Sequence, residues 1–390
     1  MNPNFVSIRH VPAQKTGKCS VETRRDGEIM AAHDETRRPA VPLPRHRERW
    51  IDIIRGAAIL LVVANHAIDV PMHIADVAPG TVIDDLTLYF APFRMTSLML
   101  LSGLLLPLAL AKPRRHYYAS KLRTLAWPYV VWLVIFWIAT ENPTEWMRPD
   151  GWITRSWLWF ILCLFLAYLA APMLTRIPTP WFASVPVALW LLSFAAPDGT
   201  LFDLSYYGGF FFAGYLIAEN RHRLRRFDTT PTMLALLAGS SLFAAILVLQ
   251  EHGLALGGAE TPATDDRGAI ERFDLIWVPV VLAGIAGTML LARRVRGALD
   301  GTRQPALSRA LQHVGRNSIV FYLIHYPLQI VVVKLLDSWG VTAQPVMMTA
   351  CILAALAVSF GAVALRRRSR VVDALFVFPR REKLSPARAR

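Results

Sequence analysis

The first long apolar run reads Arg55-Gly-Ala-Ala-Ile-Leu-Leu-Val-Val-Ala-Asn-His66, which places a cation and an imidazole in one stretch of membrane-spanning character. The two side chains are eleven positions apart, so a helix leaves them roughly 20° apart in rotation and roughly 16 Å apart along its axis. Ionisable side chains are costly inside a bilayer and are retained mostly where they function. The run therefore predicts a membrane helix whose functional face carries Arg55 near one surface and His66 well inside.

The rest of the chain continues this apolar character. Hydrophobic residues make up 54% of the 390 residues and charged residues 18%, a composition that excludes an ordinary soluble enzyme. The net charge of +14 could indicate a nucleic-acid partner, but the charges are divided among loops between apolar runs, and we expect no nucleic acid. Ten runs are long enough to cross a bilayer, and they lie near residues 51–70, 88–111, 125–140, 156–175, 181–197, 203–219, 231–250, 274–292, 315–336 and 343–365.

The loops between these runs alternate between basic and acidic. The loop after the second run carries Lys112, Arg114 and Arg115, for example, whereas the loops before and after it are mainly acidic. Basic loops stay in the cytoplasm. The alternation therefore predicts an all-α integral membrane protein, a bundle of about ten transmembrane helices with both termini cytoplasmic, in the inner (plasma) membrane.

Composition also divides the chain along its length. Residues 1–49 are polar and basic and contain no hydrophobic core of a signal peptide, so we expect a disordered cytoplasmic tail. Residues 50–366 form the predicted transmembrane domain, and residues 367–390 a basic cytoplasmic tail. The three cysteines show no spacing typical of a metal site or a disulfide framework, and we expect no metal.

His66 is the leading candidate for chemistry. A neutral imidazole near pH 7 can take a proton from a hydroxyl group or attack an acyl carbon. The alternative is a histidine that only packs between helices. Arg55 has an alternative of its own, because arginines are common at the cytoplasmic ends of membrane helices, where they contact lipid phosphates.

Two further runs carry polar groups that point to a cavity. Arg94 in the second run either extends to the outer interface or donates hydrogen bonds inside the protein. In the ninth run Ser318, Tyr322 and His325 are four and three residues apart, so they share one helix face. That face either lines a cavity or forms a hydrogen-bond network between helices.

The segment before the third run carries Lys121 and Arg123. A basic segment next to a membrane usually reflects topology and contact with lipid. The same charges could hold the phosphates of a nucleotide-like cofactor. Ser102 and Gly103, in the second run, are small enough to let two helices pack closely.

Taken in order, several segments resemble acyltransferase family 3, membrane proteins that transfer acyl groups, often acetyl, to carbohydrates or other acceptors outside the cytoplasm. The resemblance covers most of residues 45–336. It is carried by the RxxWxDxxRG opening of the first run, the Arg55-x10-His66 spacing, FRM…SG in the second run, KxRTLxxPY at 121–129, Trp159-Phe160, YGGFFFAGY at 207–215 and GRNSxxxYLxH at 315–325. Thr96 departs from the pattern, because relatives commonly have proline there.

The resemblance implies a transmembrane acyltransferase domain with a cytoplasmic acyl-CoA donor, most commonly acetyl-CoA. It implies that His66 is the essential residue and that Arg55, Lys121 and Arg123 lie near the donor. The partners it implies are membrane lipid, acyl-CoA and a carbohydrate or glycolipid acceptor. We expect Arg94, Ser318, Tyr322 or His325 to orient that acceptor or to stabilise developing charge.

Two other classes of function stay open on the sequence. A transporter or flippase of a sugar or a lipid-linked precursor would also have many membrane runs with a few buried polar residues. Such proteins often contain an internal repeat, and the His66 pattern has no counterpart in the second half of the chain. A non-catalytic relative that serves as an assembly partner is the other possibility, and it would tolerate substitution of His66.

Overall fold

The computed structural model describes residues 48–77, 81–139, 157–196, 199–251, 274–295 and 305–379, and every regular element in these ranges is helical. The elements are α1 (Arg49–Ala75), α2 (Thr81–Leu104), α3 (Leu106–Leu110), α4 (Arg114–Lys121), a π-helical turn (Leu122–Ala126), α5 (Trp127–Ala139), α6 (Trp159–Leu174), α7 (Thr179–Phe182), α8 (Ser184–Ala195), α9 (Thr200–Glu219), α10 (Arg221–Leu224), a 3₁₀ turn (Arg225–Phe227), α11 (Thr230–Glu251), α12 (Asp274–Arg294), α13 (Ala306–Arg316), α14 (Ser318–Ser338), α15 (Gln344–Leu365) and α16 (Arg370–Ala374).

Each of the ten predicted apolar runs overlaps one or more helices in the described part of the chain. By length and composition, five segments in the described part of the chain are able to cross a membrane, namely Arg49–Ala75, Arg114–Ile138, Trp277–Arg294, Ser318–Ser338 and Gln344–Leu365. A pair bent by 87°, Arg221–Phe227 with Thr230–Ile246, would add a sixth. Helices α2 and α9 fall outside this set and carry the polar residues Arg94 and Asp203. The protein is thus a helical membrane protein, and the count of ten spans with both termini cytoplasmic stays a prediction.

Helix α1 packs against α2, α13, α14 and α15. Its closest crossing is with α13, where Gly56 and Gly315 bring the two backbones together. A Cβ atom on Gly56 would lie 2.1 Å from the Leu311 carbonyl oxygen, and one on Gly315 would lie 1.8 Å from the Asp52 carbonyl oxygen. Near the crossing, the Arg316 Nε donates to the Asp52 carboxylate at 3.2 Å. The first turn of α1 is therefore held by an element more than 250 residues away in sequence.

A second close crossing joins α2 and α9. A Cβ atom on Gly103 would lie 1.7 Å from the Phe211 carbonyl oxygen, and one on Gly214 would lie 2.1 Å from the Leu100 carbonyl oxygen. The expectation that Gly103 lets helices pack closely is confirmed. About two turns before Gly103 in α2, the Thr96 hydroxyl donates a hydrogen bond to the Pro92 carbonyl at 2.5 Å. This local bond satisfies the hydroxyl group inside the helix.

The first residues of the predicted C-terminal tail pack on the bundle. The Trp127 and Trp132 indole groups donate to the Ala374 and Leu375 carbonyls at 2.6 and 3.0 Å. Phe376 is 1% exposed. Residues 370–378 therefore pack on the helical bundle, and the predicted boundary of the transmembrane domain at residue 366 stays a prediction.

Candidate active site

The His66 ring faces the helical bundle and is half-buried. Its Nδ1 lies 3.0 Å from the Val62 carbonyl oxygen, one turn earlier in α1. A carbonyl oxygen can only accept a hydrogen bond, so the proton lies on Nδ1 and the Nε2 lone pair is directed elsewhere. Helix α1 thus sets the tautomer that a general base or a nucleophile requires.

Helix α14 places two rings beside His66. The His325 ring centroid lies 5.1 Å from that of His66, and the Tyr326 ring centroid lies 5.2 Å from it, both in edge-on geometry. His325 is 1% exposed, and its Nδ1 lies 2.7 Å from the Tyr322 carbonyl oxygen. His325 therefore carries the same tautomer as His66, and the fold brings two imidazoles together from helices more than 250 residues apart in sequence.

Two opposite charges flank His66. Asp69 lies on the same face of α1, and its carboxylate interacts electrostatically with His66 and with Arg94 of α2. The Asn65 amide donates a hydrogen bond to the Asp69 carboxylate. The Arg94 Nη1 is buried and has no hydrogen-bond partner among the described residues. Arg94 therefore lies at the His66 cluster with at least one N–H group available to a ligand.

A cavity of about 240 Å³ lies along α1 on the Arg55 side of His66. Its polar lining consists of two cations, Arg55 and Lys121, and five hydroxyl groups from Ser102, Thr124, Tyr168, Ser318 and Tyr322, and the remaining lining is apolar. Pockets for drug-sized ligands have volumes of roughly 300–1,000 Å³. The cavity suits a slender chain with an anionic end better than a whole nucleotide.

The two cations of the cavity are held by aromatic and hydroxyl groups. The Arg55 Nη2 donates to the Ser102 Oγ at 3.2 Å. The Lys121 Nζ lies 3.2 Å from the centroid of the Tyr168 ring, a cation–π contact. A π-helical turn begins directly after Lys121 and supplies Thr124 to the lining. Such turns are frequent at functional sites because they redirect side chains within a helix.

Helix α14 connects the cavity with His66. Ser318 and Tyr322 line the cavity, and the Tyr322 ring centroid lies 5.6 Å from that of His325. On α1, Ile59 also lines the cavity and precedes His66 by seven residues, or about 10 Å of helix. The face predicted for Ser318, Tyr322 and His325 thus runs from the cavity to the imidazole.

Arg123 lies elsewhere. Its Nε and Nη2 donate to the Phe378 carbonyl oxygen at 3.1 and 2.5 Å, and the Phe378 amide donates to the Arg123 carbonyl at 3.1 Å. Arg123 is not part of the cavity lining. The structure therefore gives this side chain a role in holding the C-terminal segment, and a contact with the donor stays a prediction.

Three residues of this region were not predicted from the sequence as site residues. Asp69 carried a usable signal, since a spacing of three from His66 places both on one helix face. Tyr168 and Trp157 carried none, because aromatic residues are common in apolar runs and their neighbours come from distant helices. Among the described residues, no group of His, Cys, Asp and Glu side chains is arranged to hold a metal ion.

Comparison with known families identifies the class of protein. The acyltransferase 3 family model, described as an acyltransferase domain, matches residues 48–365, a range that contains the cavity and the His66 cluster. No curated protein and no solved structure matches the chain. The resemblance noted from the sequence motifs is confirmed. The chain belongs to the acyltransferase 3 family and is a membrane acyltransferase.

Proposed function

We propose that this chain is an inner-membrane enzyme that moves an acetyl group from cytoplasmic acetyl-CoA to a hydroxyl group of an extracytoplasmic carbohydrate or glycolipid. The observation that carries the proposal is the order of groups along one face of α1. Arg55 and Ile59 line a cavity with two cations, and His66 follows two helical turns later with its Nδ1 proton committed to Val62. The cavity would therefore hold the phosphate-bearing donor, and the basic imidazole of His66 lies further along the same helix.

The chemistry needs a base or a nucleophile at the thioester. In one route the His66 Nε2 takes the proton of the acceptor hydroxyl while the hydroxyl oxygen attacks the thioester carbonyl carbon. The carbon–sulfur bond then breaks, and the imidazolium returns its proton to the thiolate. In the other route the Nε2 attacks the thioester carbonyl carbon, the carbon–sulfur bond breaks, and the CoA thiolate leaves while the Nε2 carries the acetyl group as an acyl-imidazolium. The acceptor hydroxyl oxygen then attacks the acetyl carbon, the carbon–nitrogen bond breaks, and the hydroxyl proton ends on the thiolate. A positioned base typically contributes about 10²–10⁴-fold to the rate.

The charges around His66 suit either route. An imidazolium forms during both, and the Asp69 carboxylate interacts favourably with that positive charge. Negative charge develops on the thioester carbonyl oxygen, and the unpaired Nη1 of Arg94 is a donor at the same cluster. In this proposal Asp69 stabilises the positive imidazolium, and Arg94 stabilises the negative charge on the carbonyl oxygen.

The proposal is tested with purified protein in lipid nanodiscs. We expect it to bind CoA, and we expect membranes supplied with labelled acetyl-CoA to transfer the label to a surface glycan or glycolipid. Mass spectrometry of surface glycans and lipids from a deletion strain would identify the acceptor by its missing acetyl mass. A sugar transporter or flippase would bind no CoA and would leave acetylation unchanged in the deletion strain.

The cavity cation Lys121 provides a sharper test of the donor site. Lys121→Met is expected to raise the KM for acetyl-CoA about tenfold with little change in kcat, because charge-assisted contacts to phosphate are worth about 1.5–3 kcal/mol. Steady-state kinetics at saturating acceptor separates the two constants. Arg176→Met is the matched control, because Arg176 is an exposed cation that does not line the cavity. An unchanged KM for Lys121→Met would remove Lys121 from the donor site.

A further inference from the structure

The indole N–H group of Trp157 has no hydrogen-bond partner among the described residues, whereas four other indole N–H groups do. Trp157 is 9% exposed, and its Nε1 is buried without a hydrogen-bond partner among the described residues. Four other indoles donate to the protein, namely Trp50 to the Glu48 carboxylate, Trp127 to the Ala374 carbonyl, Trp132 to the Leu375 carbonyl and Trp190 to the Tyr206 carbonyl. Buried donors are normally paired, so the exception needs an explanation.

The neighbouring ring of His325 has an unpaired hydrogen-bond acceptor. Its Nδ1 donates to the Tyr322 and Phe321 carbonyls, which leaves a lone pair on Nε2, and that atom is also buried without a partner in the described residues. The Trp157 and His325 ring centroids lie 6.2 Å apart with planes at 84°. An unpaired donor therefore lies beside an unpaired acceptor.

The pair lies between the cavity and His66. The Tyr322 ring, which lines the cavity, has its centroid 6.1 Å from that of Trp157, and the Tyr322 hydroxyl donates to the Trp157 carbonyl at 2.5 Å. On the other side, His325 lies 5.1 Å from His66. Trp157 and His325 therefore both contact the ring of Tyr322, which lines the cavity, and His325 also contacts the ring of His66.

We propose that Trp157 and His325 together bind a secondary amide, the one nearest to the sulfur in the pantetheine arm of the acyl donor. The amide carbonyl accepts from the Trp157 Nε1, and the amide N–H donates to the His325 Nε2. This assignment rests on the proposed acyl-CoA donor. Two methylene groups separate that amide from the thioester sulfur, so binding it beside His325 sets the acyl carbon at His66. Tyr322 lines the cavity and contacts both rings, so the assignment requires the Tyr322 ring to move when the arm binds.

The test compares the binding of CoA with that of a CoA analogue in which this amide is replaced by two methylene groups. For the wild-type protein in nanodiscs, we expect the analogue to bind about tenfold or more weakly, because two buried hydrogen bonds are lost. Trp157→Phe is expected to bind CoA several-fold more weakly and to distinguish the two ligands less than the wild type does. Equal discrimination by both proteins would overturn the assignment.

Matched measurements separate binding from stability. Trp157→Phe and Trp190→Phe both replace a buried indole by a smaller ring, so both should lower the melting temperature. Trp190→Phe also deletes a formed hydrogen bond and should lower it further, while keeping the preference for CoA. A drop in melting temperature for Trp157→Phe that exceeds the drop for Trp190→Phe would contradict an unpaired N–H group.

An N-acetyl group on an acceptor sugar has the same amide chemistry. If Trp157→Phe weakens the binding of N-acetylglucosamine and leaves CoA binding unchanged, the amide belongs to the acceptor and the assignment to the donor arm is wrong. If the wild-type protein binds no CoA at all, the proposed donor itself fails, and this outcome is distinct from binding without discrimination.

Discussion

His66→Ala is expected to lower acyl transfer by about 10²–10⁴-fold, the typical contribution of a positioned base, and by more if the imidazole carries the acyl group. The physical reason is the Nδ1 bond to Val62, which leaves the Nε2 as the basic atom facing the bundle. The affinity for CoA should change little, because Arg55 of the cavity lies about three helical turns from His66. The loss should therefore appear in kcat.

The measurement is the transfer of label from acetyl-CoA in membranes that contain equal amounts of each variant. His222→Ala is the control, since His222 is an exposed histidine on α10. Rapid quenching followed by mass spectrometry of the His66 peptide distinguishes the two routes, because only the acyl-imidazole route leaves an adduct. Transfer at the wild-type rate by His66→Ala would show that the imidazole takes no part in the reaction.

Gly315→Ala is expected to destabilise the protein by about 3 kcal/mol, the upper end of the usual cost of overpacking. The added Cβ would lie 1.8 Å from the Asp52 carbonyl oxygen. Backbone atoms on both sides of the contact cannot turn aside as a flexible side chain would, so α1 and α13 must separate. Because α1 carries Arg55 and His66, the variant should lose activity together with stability.

Gly361→Ala provides the contrast. A Cβ atom on Gly361 of α15 would meet no atom within 4 Å, and alanine favours a helix over glycine by about 1 kcal/mol. Thermal melting in detergent should therefore rank Gly361→Ala at or above the wild type and Gly315→Ala well below it. If the two variants melt at the same temperature, the close crossing of α1 and α13 is wrong.

The residues that share one face of a single helix could be predicted from the sequence. The spacing of Arg55 and His66 and that of Ser318, Tyr322 and His325 are properties of one helix, so their shared faces follow from 100° per residue. In the structure Arg55, Ser318 and Tyr322 line the cavity, and His66 and His325 lie beside each other. The motifs also predicted the family, which the family match confirms.

Contacts between different helices could not be predicted from the sequence. Arg123 was grouped with Lys121 because both lie in one basic segment, yet the π-helical turn between Lys121 and α5 leaves Lys121 in the cavity and Arg123 on the Phe378 carbonyl. Trp157 gave no signal, because its significance depends on a missing hydrogen bond beside His325. Such facts arise when elements distant in sequence pack together.

By itself the amino-acid sequence determined a helical membrane protein and the helix faces that carry polar groups, and it predicts His66 as the residue for acyl chemistry. These follow from hydropathy and from the fixed geometry of the helix, which are local properties. Tertiary structure alone decided which faces meet, which cation lines the cavity and which buried donor lacks a partner. Association in a bilayer depends on close packing and on small-residue contacts such as Gly56 with Gly315, and hydrophobicity does not specify these because lipid is as apolar as the helices.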